Sequence, residues 1–314
     1  MHAVVIGDKQ LSWTERPDPT LGDLELLVAV RAAGVNGADL AQRDGVYPAP
    51  PGAPPDIPGL ELAGDVVAVG ARASEFAVGD RVMGLVGGGG QATLAVVDEA
   101  HALPVPDGLS WPEAGGFVEA TFTAFDALFD HGSLVAGERL LVTAAAGGVG
   151  TAAVQLGAVA GAEVTAAVRD SALWNALREL GARRVVTFGD VARHGPYDVV
   201  LELVGANSLA AALPALAVRG RVVVIGLSGG GARLELDLQQ LMGRRAQLRG
   251  STLRARSRAE KATLTTALRH RVLPLLATGR IRVPVFATFP LAEADSAYAR
   301  FAQPGKLGKI VLVA

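Results

Sequence analysis

The feature that most constrains this chain begins near Arg139. Short apolar runs at 140–143, 163–168, 184–188, 198–204, 221–225 and 247–250 recur, with helical patterns at 149–160, 171–180 and 206–218 between most of them. A strand that is apolar on both sides needs cover on both faces, and a parallel pair needs a crossover long enough for a helix. Six such strands in alternation specify a doubly wound parallel sheet. Within 171–180, Leu173, Leu177 and Leu180 fall on one face, as a helix lying on a sheet requires.

The residues before this alternation read differently. β-like runs at 1–6, 24–30, 62–69, 81–86 and 91–97 are joined by Gly/Pro turns, and no long amphipathic helix precedes Ser110. That pattern predicts a β-rich, barrel-like module. The tail offers a helix at 258–278, a Pro-bounded strand at 282–289, a helix at 293–302 and a strand at 308–313. It does not extend the six-strand count, so it is expected to return to the first module. The expected domains are 1–119 with 256–314, and 120–255. A chain of 314 residues suits two domains. Segment 47–59 holds Pro48, Pro50, Pro51, Pro54, Pro55 and Pro58, which makes either a stiff exposed loop or the wall of a substrate cleft.

The first strand of the alternation runs into a turn of small residues, Leu140-Leu-Val-Thr-Ala-Ala-Ala-Gly-Gly-Val-Gly150, and then into a helix. This reads as a dinucleotide-binding junction, with a purely structural glycine turn as the alternative. Ala145 takes the first glycine position of the fingerprint, Gly147 the second and Gly150 the third. Gly147 lets main chain approach a pyrophosphate, and Gly150 lets the helix pack on the strand. The N–H groups of Gly148, Val149 and Gly150 lie at a helix N-terminus that favours anions. The second strand ends Ala166-Ala-Val-Arg169, without the acidic residue that would bond a ribose 2′-hydroxyl. The donor fork of Arg169 suits a 2′-phosphate, which favours NADPH over NADH. Asp170 either caps the next helix or serves as the ribose acid. Val204 closes the fourth strand, and Gly226 and Leu227 follow the fifth, at the edge where ligands bind in such sheets.

Composition removes several alternatives. The absence of cysteine excludes disulfides, thiolate zinc ligands, iron–sulfur clusters and a cysteine nucleophile. A net charge of −2 gives no global field for nucleic acid or an anionic membrane. The apolar stretch 148–168 carries Gln155 and Glu163 and is interrupted by Gly157 and Gly161, so it parses as helix then strand rather than a membrane span. No basic and apolar leader is visible after Met1, and a soluble, cytoplasmic protein is expected. Arg244, Arg245, Arg249, Arg254, Arg256 and Arg258 form a positive run, read as a solvated face with a carrier-protein contact as the second reading. His131 and His194 are isolated and carry no ligand spacing.

With these residues on the page, the chain resembles the zinc-independent quinone oxidoreductases of the medium-chain dehydrogenase/reductase superfamily, the zeta-crystallin-like group. Its most specific segment runs from Gly137 through Leu140 and Gly150 to Leu156. Further matches are Asn36-Gly-Ala-Asp-Leu40, Gly79-Asp-Arg-Val82, Gly88-Gly-Gly-Gln91 and Gly305-Lys-Leu-Gly-Lys-Ile-Val-Leu312. With Ser251-Thr-Leu-Arg-Ala-Arg-Ser257 added, it most resembles the tumour-suppressor-inducible quinone oxidoreductase branch. The resemblance implies a GroES-like substrate domain, a Rossmann cofactor domain and a homodimer paired through the cofactor domains. Zinc-dependent relatives place a cysteine where Asn36 stands and a histidine where Leu60 stands in Gly59-Leu60-Glu61; neither residue here replaces those ligands. A lysine often found early in the helix after the second strand falls at Leu173, and a tyrosine near the third strand corresponds to Phe188.

The resemblance also supplies site residues. Tyr47 matches a cleft tyrosine and either donates a hydrogen bond to a quinone or enone oxygen or anchors the proline loop. Asn36 orients the nicotinamide ribose or substrate, or stabilises a turn. Asp39 reads as a helix-start carboxylate. Thr123 lies near the nicotinamide, or simply packs or caps. Leu253, Arg254 and Lys306 match segments that approach the cofactor. The expected activity is NADPH-dependent hydride transfer to a quinone or other α,β-unsaturated carbonyl, without metal. An enoyl-thioester or natural-product enoyl reductase is the alternative, followed by a protein that binds NADPH without turnover.

Overall fold

Alternating burial along the N-terminal runs builds an antiparallel sheet with one covered face. β1 (His2–Gly7) and β2 (Gln10–Glu15) form a hairpin whose turn, Asp8 and Lys9, is left-handed at both residues, as such tight hairpins require. β3 (Glu25–Val35) leads into α1 (Gly37–Arg43), and β4 (Glu61–Val69), β5 (Arg81–Leu85), β6 (Leu94–Asp98) and β7 (Ala102–Pro104) follow. Leu26, Val28, Leu62, Val66, Val82 and Val97 make the core of this sheet. Pro112 lies in the first turn of α2 (Trp111–Gly115), where its missing N–H is harmless, and α3 (Val118–Phe125) comes next.

The computed structural model describes residues 1–229 and 231–314, and these divide into two units, Met1–Phe122 with Leu253–Ala314, and Thr123–Thr252. The second unit is the parallel α/β structure expected. β8 (Arg139–Val142), α4 (Gly148–Val159), β9 (Glu163–Ala167), α5 (Trp174–Glu179), β10 (Arg184–Val186), β11 (Tyr197–Glu202), α6 (Ala206–Ala212), β12 (Leu216–Val224), α7 (Leu238–Arg244) and β13 (Gln247–Gly250) follow in turn. The sheet order is β10-β9-β8-β11-β12-β13, all neighbours parallel, which is the Rossmann order with its switch point beside β8. Leu141, Val186, Tyr197, Val200, Leu209 and Val222 pack one face.

Prolines explain two departures from the expected elements. The helix expected over 206–218 stops at Ala212, because Pro214 falls in a short 3-10 turn and β12 already begins at Leu216. The helix expected over 258–278 breaks at Val272, two residues before Pro274, into α8 (Arg258–Arg271) and α9 (Leu273–Ala277). β2 and β7 were not legible in the sequence; both are short, and β2 is mostly polar.

After α9 the chain forms β14 (Val285–Pro290), α10 (Ala294–Ala302) and β15 (Lys309–Val313). β15 lies parallel to β14 and antiparallel to β3, extending the sheet to the order β14-β15-β3-β4-β5-β7, with β6 also on β3. The tail therefore completes the GroES-like unit. Its registers, Ile310 opposite Val35 and Ala32 opposite Ala63, bring Lys309, Asn36 and Glu61 to one end of three adjacent strands.

Candidate active site

In the Rossmann unit the β8–α4 turn is built as the fingerprint demands, with one shift. The tight bend falls on Ala144, left-handed at φ 46, rather than on Ala145, which is buried and gives its N–H to Ala167 O at 3.2 Å. A non-glycine residue there costs about 1–2 kcal/mol. Gly147 starts α4 without a side-chain cap, and the first intrahelical bond is Thr151 N–H to Gly147 O at 2.8 Å. The N–H groups of Gly148, Val149 and Gly150 thus have no intrahelical acceptor. A Cβ on Gly147 would meet only Ala144 O at 3.5 Å, so that face is open. One on Gly150 would lie 2.5 Å from Ala144 O and 2.6 Å from Ala145 Cα, so here the helix rests on the strand. These are the features of a cradle for a diphosphate, and they fit a nicotinamide dinucleotide.

Arg169, Phe188, Val204, Gly226 and Leu227 follow the carboxyl ends of strands of the same sheet. Arg169 follows β9, exposed, with no hydrogen-bond partner among the described residues, while Asp170 caps the next turn by accepting Ala172 N–H at 2.9 Å. Phe188 is partly buried against the core beyond β10. Val204 N–H goes to Glu202 Oε1 at 2.7 Å, as does Gly205 N–H at 2.9 Å and the Thr143 hydroxyl at 3.2 Å. Glu202 is fully buried and its Oε2 has no hydrogen-bond partner among the described residues. It pins the strand end that carries Val204 and was missed in the sequence, where it reads as one more residue of an apolar strand. A Cβ on Gly226 would lie 2.7 Å from Leu203 O, and Leu227 beside it is exposed. Thr123 is half-buried inside α3.

In the GroES-like unit, Asn36, Asp39, Glu61, Glu119 and Lys309 converge. Lys309 Nζ donates to Glu61 Oε1 and to Asn36 Oδ1, both at 2.6 Å, and Asn36 Nδ2 donates to Glu61 Oε1 at 2.9 Å. Glu61 Oε2 accepts Glu119 N–H at 2.9 Å. Glu61 is fully buried and Lys309 nearly so. Gly34 makes room for them, since a Cβ there would overlap Glu61 Oε1. Asp39 accepts Asn36 N–H at 2.7 Å and Gly59 N–H at 3.0 Å, the helix-start carboxylate of the sequence reading. Burial pushes its carboxyl up to about 6, with the two backbone bonds opposing. Burial, and next the Glu61 charge, push Glu119 up to about 8. Asn36 therefore bridges a buried ion pair. Lys309 was missed as a site residue, although a cation opening an apolar strand (Lys309-Ile-Val-Leu-Val313) signals a buried counter-charge.

Two further expected cofactor residues have hydrogen-bond partners of their own within the GroES-like unit. Arg254 is buried and its donors are committed within its own unit, to Gly87 O at 2.9 Å, Tyr47 O at 3.1 Å and Gln42 Oε1 at 2.5 Å, with a longer bond to Pro48 O. It braces the proline loop and stacks over the half-buried Tyr47 ring at 5.4 Å. Burial raises Tyr47, with Arg254 opposing. Lys306 Nζ donates to Phe301 O at 2.6 Å at the end of α10, a helix-end cap. Leu253 is a buried apolar residue. The arginine run is likewise no single solvated face: Arg244 bonds Pro214 O and Leu216 O, Arg249 bonds His131 O, and Arg258 pairs with Asp98.

The chain matches the models of the alcohol dehydrogenase GroES-like domain over residues 22–107 and the zinc-binding dehydrogenase over 148–269. A quinone oxidoreductase-like protein 2 homolog from Nematostella vectensis is 30% identical over 305 residues, covering 93% of this chain and 82% of that protein. The chain belongs to the medium-chain dehydrogenase/reductase superfamily. Within that superfamily it is similar to the quinone oxidoreductase-like branch. A mycobacterial protein structure complexed with NADPH superposes with a TM-score of 0.88 at 27% identity, covering all of both chains. The polyketide synthase GfsB of Streptomyces halstedii is 34% identical over 310 residues, which is 96% of this chain but 5% of that protein. The chain thus spans a small part of some curated relatives. Despite the zinc-binding name of its second model, its residues do not fit the catalytic zinc of medium-chain enzymes: Asn36 and Leu60 supply no thiolate or imidazole, and an ammonium lies against Asn36 and Glu61.

Proposed function

We propose that this chain is a zinc-independent, NADPH-dependent reductase of quinones or other α,β-unsaturated carbonyls. The observation that carries the reading is Lys309 Nζ, seated on Asn36 and Glu61 where a zinc-dependent relative needs its ligands. Reduction must then rest on hydride geometry and hydrogen-bond donors. Bound NADPH supplies the hydride. The amides of Gly148, Val149 and Gly150 hold the diphosphate, Arg169 takes the 2′-phosphate, and Val204, Gly226 and Thr123 shape the nicotinamide side. Tyr47, half-buried on a loop braced by Arg254, donates to the acceptor oxygen.

The test is oxidation of NADPH and NADH against ortho- and para-quinones, enones and enoyl-thioesters. Quinones or enones with NADPH are expected to turn over best. Tyr47→Phe is expected to lower kcat roughly 10- to 100-fold, and Arg169→Ala to raise the KM for NADPH while leaving that for NADH near wild type. An Arg169→Ala protein unchanged toward NADPH would sink the assignment of its phosphate. The likeness to polyketide synthases favours a second reading, reduction of an enoyl-thioester, and preference for the thioester panel would decide for it.

We also propose a homodimer paired through the cofactor unit. β13 is an edge strand exposed along its whole length, Leu248 included, and Leu238 and Met242 of α7 are exposed in the same unit. An open edge of this kind offers its unpaired N–H and C=O groups to a second strand. Light scattering is expected to give twice the chain mass, and a monomer at micromolar concentration would count against pairing.

A further inference from the structure

Three consecutive N–H groups at the carboxyl end of β11 are consumed inside the Rossmann unit. Leu203 N–H donates to Thr143 Oγ1 at 2.8 Å, and Val204 and Gly205 N–H donate to Glu202 Oε1 at 2.7 and 2.9 Å. The buried Thr143 hydroxyl, just past β8, lies 3.2 Å from both Glu202 Oε1 and Leu201 O, and so holds the neighbouring strand from the side. Gly205 turns its N–H back in this way with φ 124 and ψ −158, a conformation essentially restricted to glycine. The carbonyls of this turn are used as well, with one exception. Glu202 O accepts Ile225 N–H at 3.1 Å, Leu203 O accepts the Ser228 hydroxyl at 2.8 Å, and Gly205 O accepts Leu209 N–H at 3.0 Å. Val204 O accepts from none of the described residues, and Val204 is only half-buried.

Residues 203–205 therefore offer a ligand an acceptor and no donor. The turn after β8 does the opposite, since the N–H groups of Gly148, Val149 and Gly150 have no intrahelical acceptor. β8 and β11 flank the point where the strand order reverses, which is where a dinucleotide lies in such sheets. Phosphate oxygens only accept, whereas ribose hydroxyls and a carboxamide NH2 can donate. Three successive N–H groups left free after β11 would form a second anion-binding nest and compete for the diphosphate. We infer that Glu202, braced by Thr143, is the positioning residue for the nicotinamide half of the cofactor. By consuming these N–H groups the pair leaves Val204 O as the anchor for a ribose hydroxyl or the carboxamide NH2, and sends the phosphates to the β8–α4 turn. Glu202 acts through Val204 rather than by touching the cofactor, because its carboxyl is fully buried. The inference rests on the cofactor reading above.

Glu202→Leu keeps most of the bulk of the side chain and removes its acceptor. Calorimetric titration of the whole chain is expected to show NADPH and NADH each bound about tenfold more weakly, while adenosine 2′,5′-bisphosphate, which lacks the nicotinamide half, stays within about twofold. Glu202→Gln retains Oε1 and is expected to bind NADPH within about threefold of wild type. Thr143→Val is expected to repeat the loss in milder form and Thr143→Ser to restore binding, which keeps the test open if Glu202→Leu does not fold. An NADP analogue with a carboxylate in place of the carboxamide separates the two donors: wild-type protein binds it as it binds NADP if the donor is a ribose hydroxyl, and more weakly if it is the carboxamide. Unchanged NADPH binding in Glu202→Leu, or in Thr143→Val where the former does not fold, overturns the inference. So does a loss shared equally by the bisphosphate, or a Glu202→Gln protein as weak as Glu202→Leu. A wild-type protein that binds neither NADPH nor NADH sinks the cofactor reading itself, so the wild-type titration tells the two failures apart.

Discussion

Gly147→Ala is expected to leave thermal unfolding where it is and to weaken NADPH binding at least tenfold, whereas Gly150→Ala damages both. The two glycines are three residues apart in one turn, but their surroundings are opposite. Gly147 has φ −74 and ψ 172, a backbone that alanine adopts freely, and a methyl there meets nothing nearer than Ala144 O at 3.5 Å. The methyl instead protrudes on the side where the unbonded amides of α4 await phosphate oxygens, so its effect falls on the ligand. At Gly150 the same methyl runs into backbone, at 2.5 Å from Ala144 O and 2.6 Å from Ala145 Cα. Backbone cannot rotate away as a side chain does, so α4 must move off β8, at a cost of about 1–3 kcal/mol. Calorimetric titration with NADPH and a thermal melt of each variant check the pair. An alanine at 147 that binds with wild-type affinity would show that the turn does not hold the diphosphate.

The second large effect is expected at Lys309→Met, which keeps the stem of the side chain and removes its charge. Glu61 would remain fully buried with its strongest donor gone, and breaking a buried ion pair from one side costs about 3–5 kcal/mol. At roughly 2–4 °C per kcal/mol for a unit of this size, the melting temperature is expected to fall by about 6–20 °C. Adding Glu61→Gln to the same chain removes the stranded charge and is expected to recover a good part of that loss, because replacing both members of a buried pair is often close to neutral. A Lys309→Met protein that melts within 2 °C of wild type would mean that water reaches Glu61 and that the pair is not the structural centre of this unit.

What could be read in the sequence follows from how locally each feature is encoded. The Rossmann sheet was legible because every strand buried on both faces leaves a continuous apolar run, such as Leu140-Leu-Val142 or Val199-Val-Leu201. The turn after β8 was legible because its three functions require small residues at fixed spacing. β2 was not, since Gln10-Leu-Ser-Trp-Thr-Glu15 has one face open to water and little apolar signal. The ends of α6 and α8 were overrun where a proline outweighed helical periodicity. The polar cluster was only half visible. Asn36 and Glu61 stood in recognisable motifs, but their partner Lys309 lies 248 residues beyond Glu61 in sequence, and only the β15–β3–β4 registers bring the three together. The partners of Arg254 were hidden for the same reason, because the four oxygens that its guanidinium bonds all lie at least 167 residues earlier in sequence.

The placement of β15 has a consequence for biogenesis. The Rossmann unit is one unbroken stretch, Thr123–Thr252, and can begin folding as soon as it clears the ribosome. The GroES-like sheet has to wait for a strand translated after that whole stretch, and with it for the cation that Glu61 needs. Until then the nascent N-terminal half carries an acidic pocket it cannot close, and its carboxylates keep their water. Translation thus delivers the acids first and the base last, which makes arrival of Lys309 the event that seals this half of the molecule.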